Sequence, residues 1–240
     1  MYVYKRKRST SSGVVPRAYK RPRTVKRFRP GYDRRVGLYG RFQPGGAELK
    51  FYDLTNNASK IPQQGGTVIS FNNIVQGTGQ SQRIGRKITI RSLHSRFRFF
   101  LNPVSATPPD VVQSDTVRLI WYVDKQMNGS PASVSDILAS PDYQSDYNLS
   151  NKSRFRILKD VTYTLNPTGI TENTTSGTQK TAEMSVNKEF KMTMNLPIEF
   201  SGTMGTNSEI RSNNIGAVTI SRRGANSGLE AFTRIRYSDL

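Results

Sequence analysis

The 240-residue sequence contains no cysteine and a single histidine, His94. Without cysteine the chain can form no disulfide, no cysteine-ligated zinc site and no cysteine nucleophile. A catalytic triad or a histidine-ligated metal site needs partner residues at fixed spacing, and His94 instead lies near Arg91 and Arg96 in a strand-like segment. We therefore interpret His94 as a structural residue.

The sequence also lacks any apolar run close to the roughly 18 residues that a membrane-spanning helix needs. Near the N-terminus, Arg and Lys interrupt every short apolar group, so no signal peptide is predicted. We expect a soluble protein, made in the cytosol, with no membrane partner.

A nucleotide-binding loop is missing as well. The segment from Gly77 to Lys87 has five residues between Gly79 and Gly85, where a phosphate-binding loop has four, and it ends in Arg-Lys instead of Lys-Ser/Thr. With neither this loop nor a catalytic constellation, we predict that the chain is not an enzyme and has no cofactor.

Acidic residues are few, with 17 Asp and Glu against 36 Lys and Arg. Paired carboxylates can act in acid–base chemistry or bind calcium. We interpret the densest group of aspartates as a solvated loop with a helix cap, and keep an ion bound between subunits as the weaker alternative. That group consists of Asp124, Asp136, Asp142 and Asp146.

Positive charge is concentrated in the first 41 residues, which hold fourteen Lys and Arg against one acidic residue, Asp33. This arm therefore carries +13 of the net +19. Pro16, Pro22 and Pro30 prevent a continuous helix, and the low apolar content predicts a disordered segment. The basic residues are Lys5, Arg6, Lys7, Arg8, Arg17, Lys20, Arg21, Arg23, Lys26, Arg27, Arg29, Arg34, Arg35 and Arg41.

Aromatic residues alternate with the basic groups of the arm. Lys and Arg neutralise phosphates, and aromatic rings stack on unpaired bases, so the arm is predicted to bind a single-stranded nucleic acid. A solvated tail and a membrane-surface segment are the alternatives. The cluster Lys20, Arg21, Arg23, Lys26, Arg27 and Arg29 also has the pattern of a nuclear-import signal that a host import receptor would bind.

Residues 42–48 close a glycine-rich stretch and are predicted to form a hinge. The body, 49–240, contains eight segments rich in β-branched and aromatic residues, which predict strands. They are 49–54, 67–75, 87–101, 115–124, 154–165, 186–200, 215–221 and 231–237.

Apolar and basic residues alternate along 87–100, and the apolar face changes between Ile90 and Leu93, which predicts a bulge there. One short helix is predicted near Ser133, with Asp136 completing a capping box and Pro141 stopping it. Eight strands with long loops indicate an all-β fold, a single eight-stranded jelly-roll sandwich with a disordered basic N-terminal arm. An immunoglobulin-like sandwich is the alternative fold.

Basic residues are scattered through the body, with 22 basic against 16 acidic over 199 positions. A protein that binds nucleic acid alone should carry a basic and aromatic face on its folded body. The scatter therefore predicts no such face, and favours a body that assembles with copies of itself.

The order of elements resembles a known family. A basic aromatic arm, a glycine hinge and eight strands occur in this order, with the loop and short helix DKQMNGSPASVSDILAS after the strand DTVRLIWYVD and RFRILKDV further on. This resembles the coat proteins of small circular single-stranded DNA viruses that encode a replication initiator. From Arg118 to Val161 it is also similar to the coat protein of the satellite viruses of tobacco necrosis virus.

The resemblance implies a jelly-roll subunit, sixty copies of which form an icosahedral shell, with the arm pointing inward onto a single-stranded DNA genome. Sixty arms of +13 would neutralise on the order of 800 phosphates. The implied locations are the virion and, during assembly, the host nucleus. The alternatives are a non-viral single-stranded nucleic-acid-binding protein with a basic tail and a capsid protein of a small RNA virus or satellite.

Overall fold

Antiparallel strands make up most of the part of the chain that the structure describes. This computed structural model describes residues 49–101, 114–127, 129–166, 185–224 and 227–239. Its elements are β1 (Leu49–Lys60), β2 (Thr67–Ser70), β3 (Lys87–Leu101), β4 (Asp115–Asp124), α1 (Val134–Ile137), β5 (Phe155–Leu165), β6 (Ser185–Phe200), β7 (Ile210–Ser212), β8 (Asn214–Ser221) and β9 (Ser227–Asp239), with 3₁₀ turns at Leu149–Asn151 and Asn207–Glu209. Within these residues no helix is long and apolar enough to cross a membrane.

The strands form two sheets, in the orders β1-β9-β3-β6-β7 and β2-β8-β4-β5. The first strand pairs with the last, β2 with β8, β3 with β6 and β4 with β5, and every pair is antiparallel. Such nested pairing, wrapped into two facing sheets, is a jelly roll, and it confirms the predicted fold. In an immunoglobulin sandwich the first two strands share a sheet, whereas β1 and β2 lie in different sheets here.

All eight predicted strands are present. β3 and β4 have the predicted bounds, and the other six differ at one end or both. β2 stops at Ser70 instead of residue 75, because the side chain of Asn72 takes over the pairing and accepts a hydrogen bond from the Ile215 amide at 3.0 Å. One additional strand, β7, was not predicted. Asn213, at φ 59°, makes the corner between β7 in one sheet and β8 in the other.

The main core lies between the inner faces of the two sheets. Phe97 of β3 packs edge-on against Trp121 of β4, with ring centroids 5.3 Å apart, and both side chains are buried. Phe71 approaches the opposite side of Phe97 at 6.4 Å. Burying one such side chain contributes roughly 2–3 kcal/mol, so these rings fix the separation of the sheets.

The predicted bulge in β3 is confirmed. The register of β3 shifts between Ile90 and Ser92 against both of its neighbours, β6 and β9. Ile90 and Leu93 both point into the core, so Arg91 and Ser92 lie together between two inward residues. The extra residue keeps the apolar side chains before and after it on the inner face.

The predicted capping box is also confirmed. The Asp136 amide donates to the Ser133 hydroxyl at 3.2 Å, and the Ser133 amide donates to the Asp136 carboxylate at 2.8 Å. Pro141 is not what ends the helix. The chain becomes extended at Leu138, which forms a β-bridge with Tyr147, so the helix ends one turn after it begins.

Candidate nucleic-acid interface

The outer face of the β2-β8-β4-β5 sheet is covered by the chain between β4 and β5. Val134 and Ile137 of α1 are buried with Ile120 and Val218 of the sheet in a second apolar cluster. Ser133 caps α1 and so helps to hold this segment in place. This face of the jelly roll is therefore filled by the chain itself.

Among the described residues, no segment covers the outer face of the β1-β9-β3-β6-β7 sheet in this way. The described residues form two apolar clusters, and neither lies on this face. The outward side chains of β1, β9, β3 and β6 are mostly polar, charged or aromatic, and we call this surface the arginine face. Its basic members are Lys60, Lys87, Arg91, Arg96, Arg98, Lys191, Arg234 and Arg236, and its acidic members are Asp53, Glu189, Glu199 and Glu230. Eight basic against four acidic residues leave the face four charges positive.

The bulge in β3 directs Arg91 onto this face. Its guanidinium donates to the Ser238 hydroxyl at 3.1 Å and to the Asn195 side-chain oxygen at 2.6 Å. Both of these partners are neutral, so the positive charge of Arg91 stays uncompensated. Arg236 is exposed and forms no ion pair with the described part of the chain.

Two carboxylates organise the other cations of the face. Asp53 accepts two hydrogen bonds from Arg234, each at 2.7 Å, across the β1–β9 pair. Glu189 lies 3.0 Å from Lys191, 2.5 Å from the His94 ring nitrogen and 3.4 Å from Arg96. Lys191 and then His94 lower the pKa of Glu189 to about 2. Glu189 is thus ionised at neutral pH and holds three basic side chains in position.

His94 belongs to this cluster. Its ring bonds to Glu189, and β3 places it level with Lys191 on one side and Arg234 on the other. This is the structural role that the sequence predicts. Among the described residues no three His, Cys, Asp or Glu side chains are arranged to hold a metal ion.

Three phenylalanines lie among the arginines. The Arg234 guanidinium carbon is 5.2 Å from the ring centre of Phe51 and 5.9 Å from that of Phe232. Arg98 lies 5.8 Å from the ring of Phe100. Phe51 is 38% exposed on the edge strand β1, so part of its ring faces solvent.

A shallow groove of about 780 Å³ runs over the same face. Phe232 and the charged side chains of Arg96, Arg98, Glu189 and Glu230 line it. Arg96 is 63% exposed on the wall of the groove and lies 3.4 Å from Glu189. The groove therefore combines the two features, cationic charge and an aromatic ring, that single-stranded nucleic acids bind.

The residues predicted to bind nucleic acid, from Lys5 to Arg41, and the six predicted for nuclear import lie outside the described residues. The hinge at 42–48 does as well. Their roles stay predictions.

The four aspartates kept as weak metal candidates have other partners or lie apart. Asp124 is fully buried and accepts hydrogen bonds from Arg154 at 2.9 and 2.7 Å. Asp136 caps α1. Asp142 and Asp146 lie in the loop beyond the helix. Within one subunit the buried aspartate is thus neutralised by an arginine and is not an ion ligand.

The rejected phosphate-loop segment has a different role. Arg83 is fully buried, and its guanidinium donates to the carbonyl oxygens of Ile74, Gly85 and Gly202. It also lies 4.1 Å from the ring of Phe200, and burial lowers its pKa. Arg83 therefore joins the β2–β3 connection to the β6–β7 loop and is not available to a phosphate.

The arginine face corrects one expectation from the sequence. The basic residues of the body look scattered because β1, β3 and β9 are far apart in the chain, yet the fold makes these strands neighbours. In the sequence, the alternation of Arg91, Arg96 and Arg98 with apolar residues indicated that these arginines lie on one face of a strand. No local pattern indicated that this strand is the neighbour of the one that carries Arg234 and Arg236.

Comparison with known proteins relates most of the chain to one family. Residues 44–226 match the family model of the satellite tobacco necrosis virus coat protein. The coat protein of Maize white line mosaic satellite virus is 34% identical over 89 residues, which is 36% of this chain and 38% of that protein. The capsid protein of Satellite tobacco necrosis virus 1 is 32% identical over 126 residues, 51% of this chain and 59% of that protein. The matches thus span less than two thirds of these relatives.

Two solved structures are similar at lower levels. Desmodium yellow mottle tymovirus is 11% identical with a TM-score of 0.36, covering 86% of this chain and 96% of that one. The 60-mer BFDV capsid protein is 13% identical with a TM-score of 0.32, covering 80% and 94%. Scores this low do not establish a common fold. The family model matches more than half of the chain, and the chain therefore belongs to the satellite tobacco necrosis virus coat protein family.

Proposed function

We propose that this chain is a viral coat protein whose copies, sixty in the simplest shell, enclose a single-stranded nucleic acid held by the basic arm and by the arginine face. The observation that carries the proposal is the sidedness of the jelly roll. The arginine face lies on the β1-β9-β3-β6-β7 sheet, while the outer face of the other sheet is filled by α1 and its loop. We assign the arginine face to the interior of the shell.

The genome type is the open part of this proposal. The sequence resemblance implied single-stranded DNA, with a small RNA virus or satellite as the alternative. Membership of a satellite-virus coat protein family favours the alternative. Extraction of the packaged nucleic acid, followed by separate ribonuclease and deoxyribonuclease digestion, distinguishes the two.

A nuclear stage of assembly would use Lys20, Arg21, Arg23, Lys26, Arg27 and Arg29. This proposal depends on their spacing in the sequence. Replacing the six with alanine in a fluorescent fusion should abolish nuclear accumulation, and unchanged accumulation would exclude a role for this cluster.

A non-viral nucleic-acid-binding protein with a basic tail is the second candidate. The arginine face is the feature that such a protein should carry. The coat protein family, whose members are structural proteins, argues for the first candidate. Electron microscopy of the purified chain separates them, since closed particles fit only a coat protein.

The arm is tested by replacing its fourteen Lys and Arg with Gln in the full-length chain. Particles should still form, because the jelly roll has its own core, and their nucleic-acid content, measured by the ratio of absorbance at the nucleic-acid and protein maxima, should fall strongly. A matched chain with the scattered body residues Lys125, Lys152 and Arg156 changed to Gln should keep its content. Full packaging by the arm variant would overturn the assignment.

A further inference from the structure

We propose that the arginine face binds unpaired bases, and not phosphates alone, on a platform made by Phe51, Arg234 and Phe232. The inference rests on the proposed function and names the part of the nucleic acid that this face takes. Its occupant is a single strand of nucleic acid with accessible base faces.

The platform is built by side chains from two adjacent strands. Asp53 and Arg234 are directly opposite in the β1–β9 register, while Phe51 and Phe232 lie diagonally on either side of that pair. The Arg234 guanidinium is 5.2 Å from one ring centre and 5.9 Å from the other. The three planar groups therefore form a continuous row on the outer surface.

Arg234 is fixed in the row by a carboxylate. Asp53 receives the Nε and Nη2 hydrogens of Arg234, both at 2.7 Å, which is a two-point contact. This pairing sets the plane of the guanidinium and compensates its positive charge. A guanidinium with a fixed plane and a compensated charge is better suited to stacking on a base than to binding a phosphate.

Other cations lie beside this row. Arg236, which forms no ion pair with the described part of the chain, is level with Phe51, and Arg96, which lies 3.4 Å from Glu189, is level with Phe232. Arg91 has only neutral partners. Phosphates can thus follow the flanking arginines while the bases between them reach the rings, which is the arrangement that binds single strands with little sequence preference.

A duplex fits this surface less well. Its bases are already stacked on each other, so it offers the row no free base face, although its phosphates can still meet the arginines. Phe51 and Phe232 also contribute nothing to the core, which is filled by rings on the opposite face of the sheet. The exposed rings are therefore explained by a ligand with aromatic faces of its own.

A subunit contact is the competing explanation for Phe51. The strand β1 is an edge of its sheet, and edge strands can pair with another copy of the chain. The test must therefore separate loss of base binding from loss of assembly.

The experiment compares two probes on the full-length chain: an oligothymidylate and an abasic strand of the same length. Both carry the same phosphates, and only the first has bases. We measure the affinity of each by fluorescence anisotropy for the wild-type chain, for Phe51→Ala with Phe232→Ala, and for Arg234→Lys. The double variant with leucine at both positions is the folding control, because leucine keeps the apolar contact but has no ring.

The expected result is a selective loss. The wild-type chain should prefer oligothymidylate, and the double alanine variant should lose about tenfold or more of that preference, since stacking contributes roughly 1–3 kcal/mol per base. Affinity for the abasic strand should not change. Arg234→Lys should lose part of the preference, because lysine keeps the charge and has no plane.

Three outcomes overturn the inference. The first is an unchanged preference in the double variant, which would assign all stacking to the aromatic residues of the arm. The second is an equal loss for both probes. The third is a failure of the variant to form particles while both affinities stay the same, which would assign the rings to a subunit contact.

Different outcomes would contradict the proposed function itself. A wild-type chain that forms no particles, or particles without nucleic acid, would contradict packaging itself. Photo-cross-linking to iodouracil-containing strands gives a direct readout. After trypsin digestion, Phe51 lies in the peptide of residues 51–60 and Phe232 in the peptide of residues 224–234, so the two sites of labelling can be told apart. Labelled bases in both peptides are expected, and labels confined to the arm would refute the platform.

Discussion

Asp115 is a buried carboxylate whose partners are all neutral hydrogen-bond donors. It is 1% exposed at the start of β4 and accepts hydrogen bonds from the Ser221 and Ser227 hydroxyls. The amides of Thr116 and Arg223 donate to its other oxygen at 2.7 and 3.1 Å. One side chain thus fastens the β8–β9 turn to β4, and its loss would leave several buried donors unpaired.

We predict that Asp115→Asn lowers the free energy of unfolding by about 1–3 kcal/mol, because the amide group turns a donor toward other donors. The measurement is the urea midpoint at fixed protein concentration. Asp142→Asn is the matched control, since Asp142 is exposed in a loop. Equal midpoints for the two variants would contradict the structural role of Asp115.

Tyr147 joins an ion pair on the covered side of the molecule. Its hydroxyl donates to Asp160 at 2.6 Å, and Asp160 also pairs with Arg118 at 2.6 Å. Burial, followed by the hydrogen bond to Asp160, raises the pKa of Tyr147 to about 12. The protonated hydroxyl is therefore favoured in the folded state.

This shift predicts a difference in alkaline stability between the wild-type chain and Tyr147→Phe. The unfolded tyrosine has a pKa of about 10, so the stabilisation is complete below that pH and is lost as pH rises through about 12. The unfolding midpoints of the two chains should therefore converge between these values. The other tyrosines titrate in both chains and cancel in the difference. A gap that does not change over this range would refute the prediction.

At the level of elements, the single helical turn α1 covers the outer face of the β2-β8-β4-β5 sheet. α1 is too short to be stable alone, and its capping box and the apolar contacts of Val134 and Ile137 hold it on the sheet. The arginines lie on the outer face of the other sheet, on the opposite side of the sandwich.

Removing the cap should loosen this element. Ser133→Ala is expected to cost about 1 kcal/mol of unfolding free energy, because the Asp136 amide loses its acceptor. The measurement is the free energy of unfolding from chemical denaturation. Ser140→Ala is the control, since Ser140 is exposed just beyond the helix. Indistinguishable stabilities would mean that the apolar contacts alone hold α1.

At the level of the whole molecule, charge is distributed by side. Among the described residues, one outer sheet face carries the arginines, while the other is filled by α1 and its loop. A shell subunit needs this asymmetry, because one side meets the genome and the other does not. The net charge of +19 therefore matters through its placement.

Binding of a single strand should depend steeply on salt. If eight phosphates are contacted at once, the logarithm of the association constant should fall against the logarithm of salt with a slope of about −5.6. Anisotropy titrations of the full-length chain at several salt concentrations give the slope, and the arm variant with glutamines should give a flatter one. A slope near zero in the unaltered chain would remove the electrostatic mechanism.

The sequence by itself determined the elements of this protein. The β-branched segments, the bulge between Ile90 and Leu93 and the capping box at Ser133 could all be predicted, because each depends on side chains close together in the chain. The number of strands predicted a jelly roll with an immunoglobulin-like sandwich as the alternative, and the observed pairing of the strands decided between them. The short β7 could not be predicted, because it depends on a corner at Asn213 between the two sheets.

Only the tertiary structure decided what the charged residues do. Arg83 and Asp124 look like surface residues in the sequence, and burial with specific partners makes them structural. Arg91 and Arg236 lie 145 positions apart, yet they share one face because β3 and β9 are neighbours. Strand pairing across such distances is set by the packing of the whole core, and local sequence patterns contain no record of it.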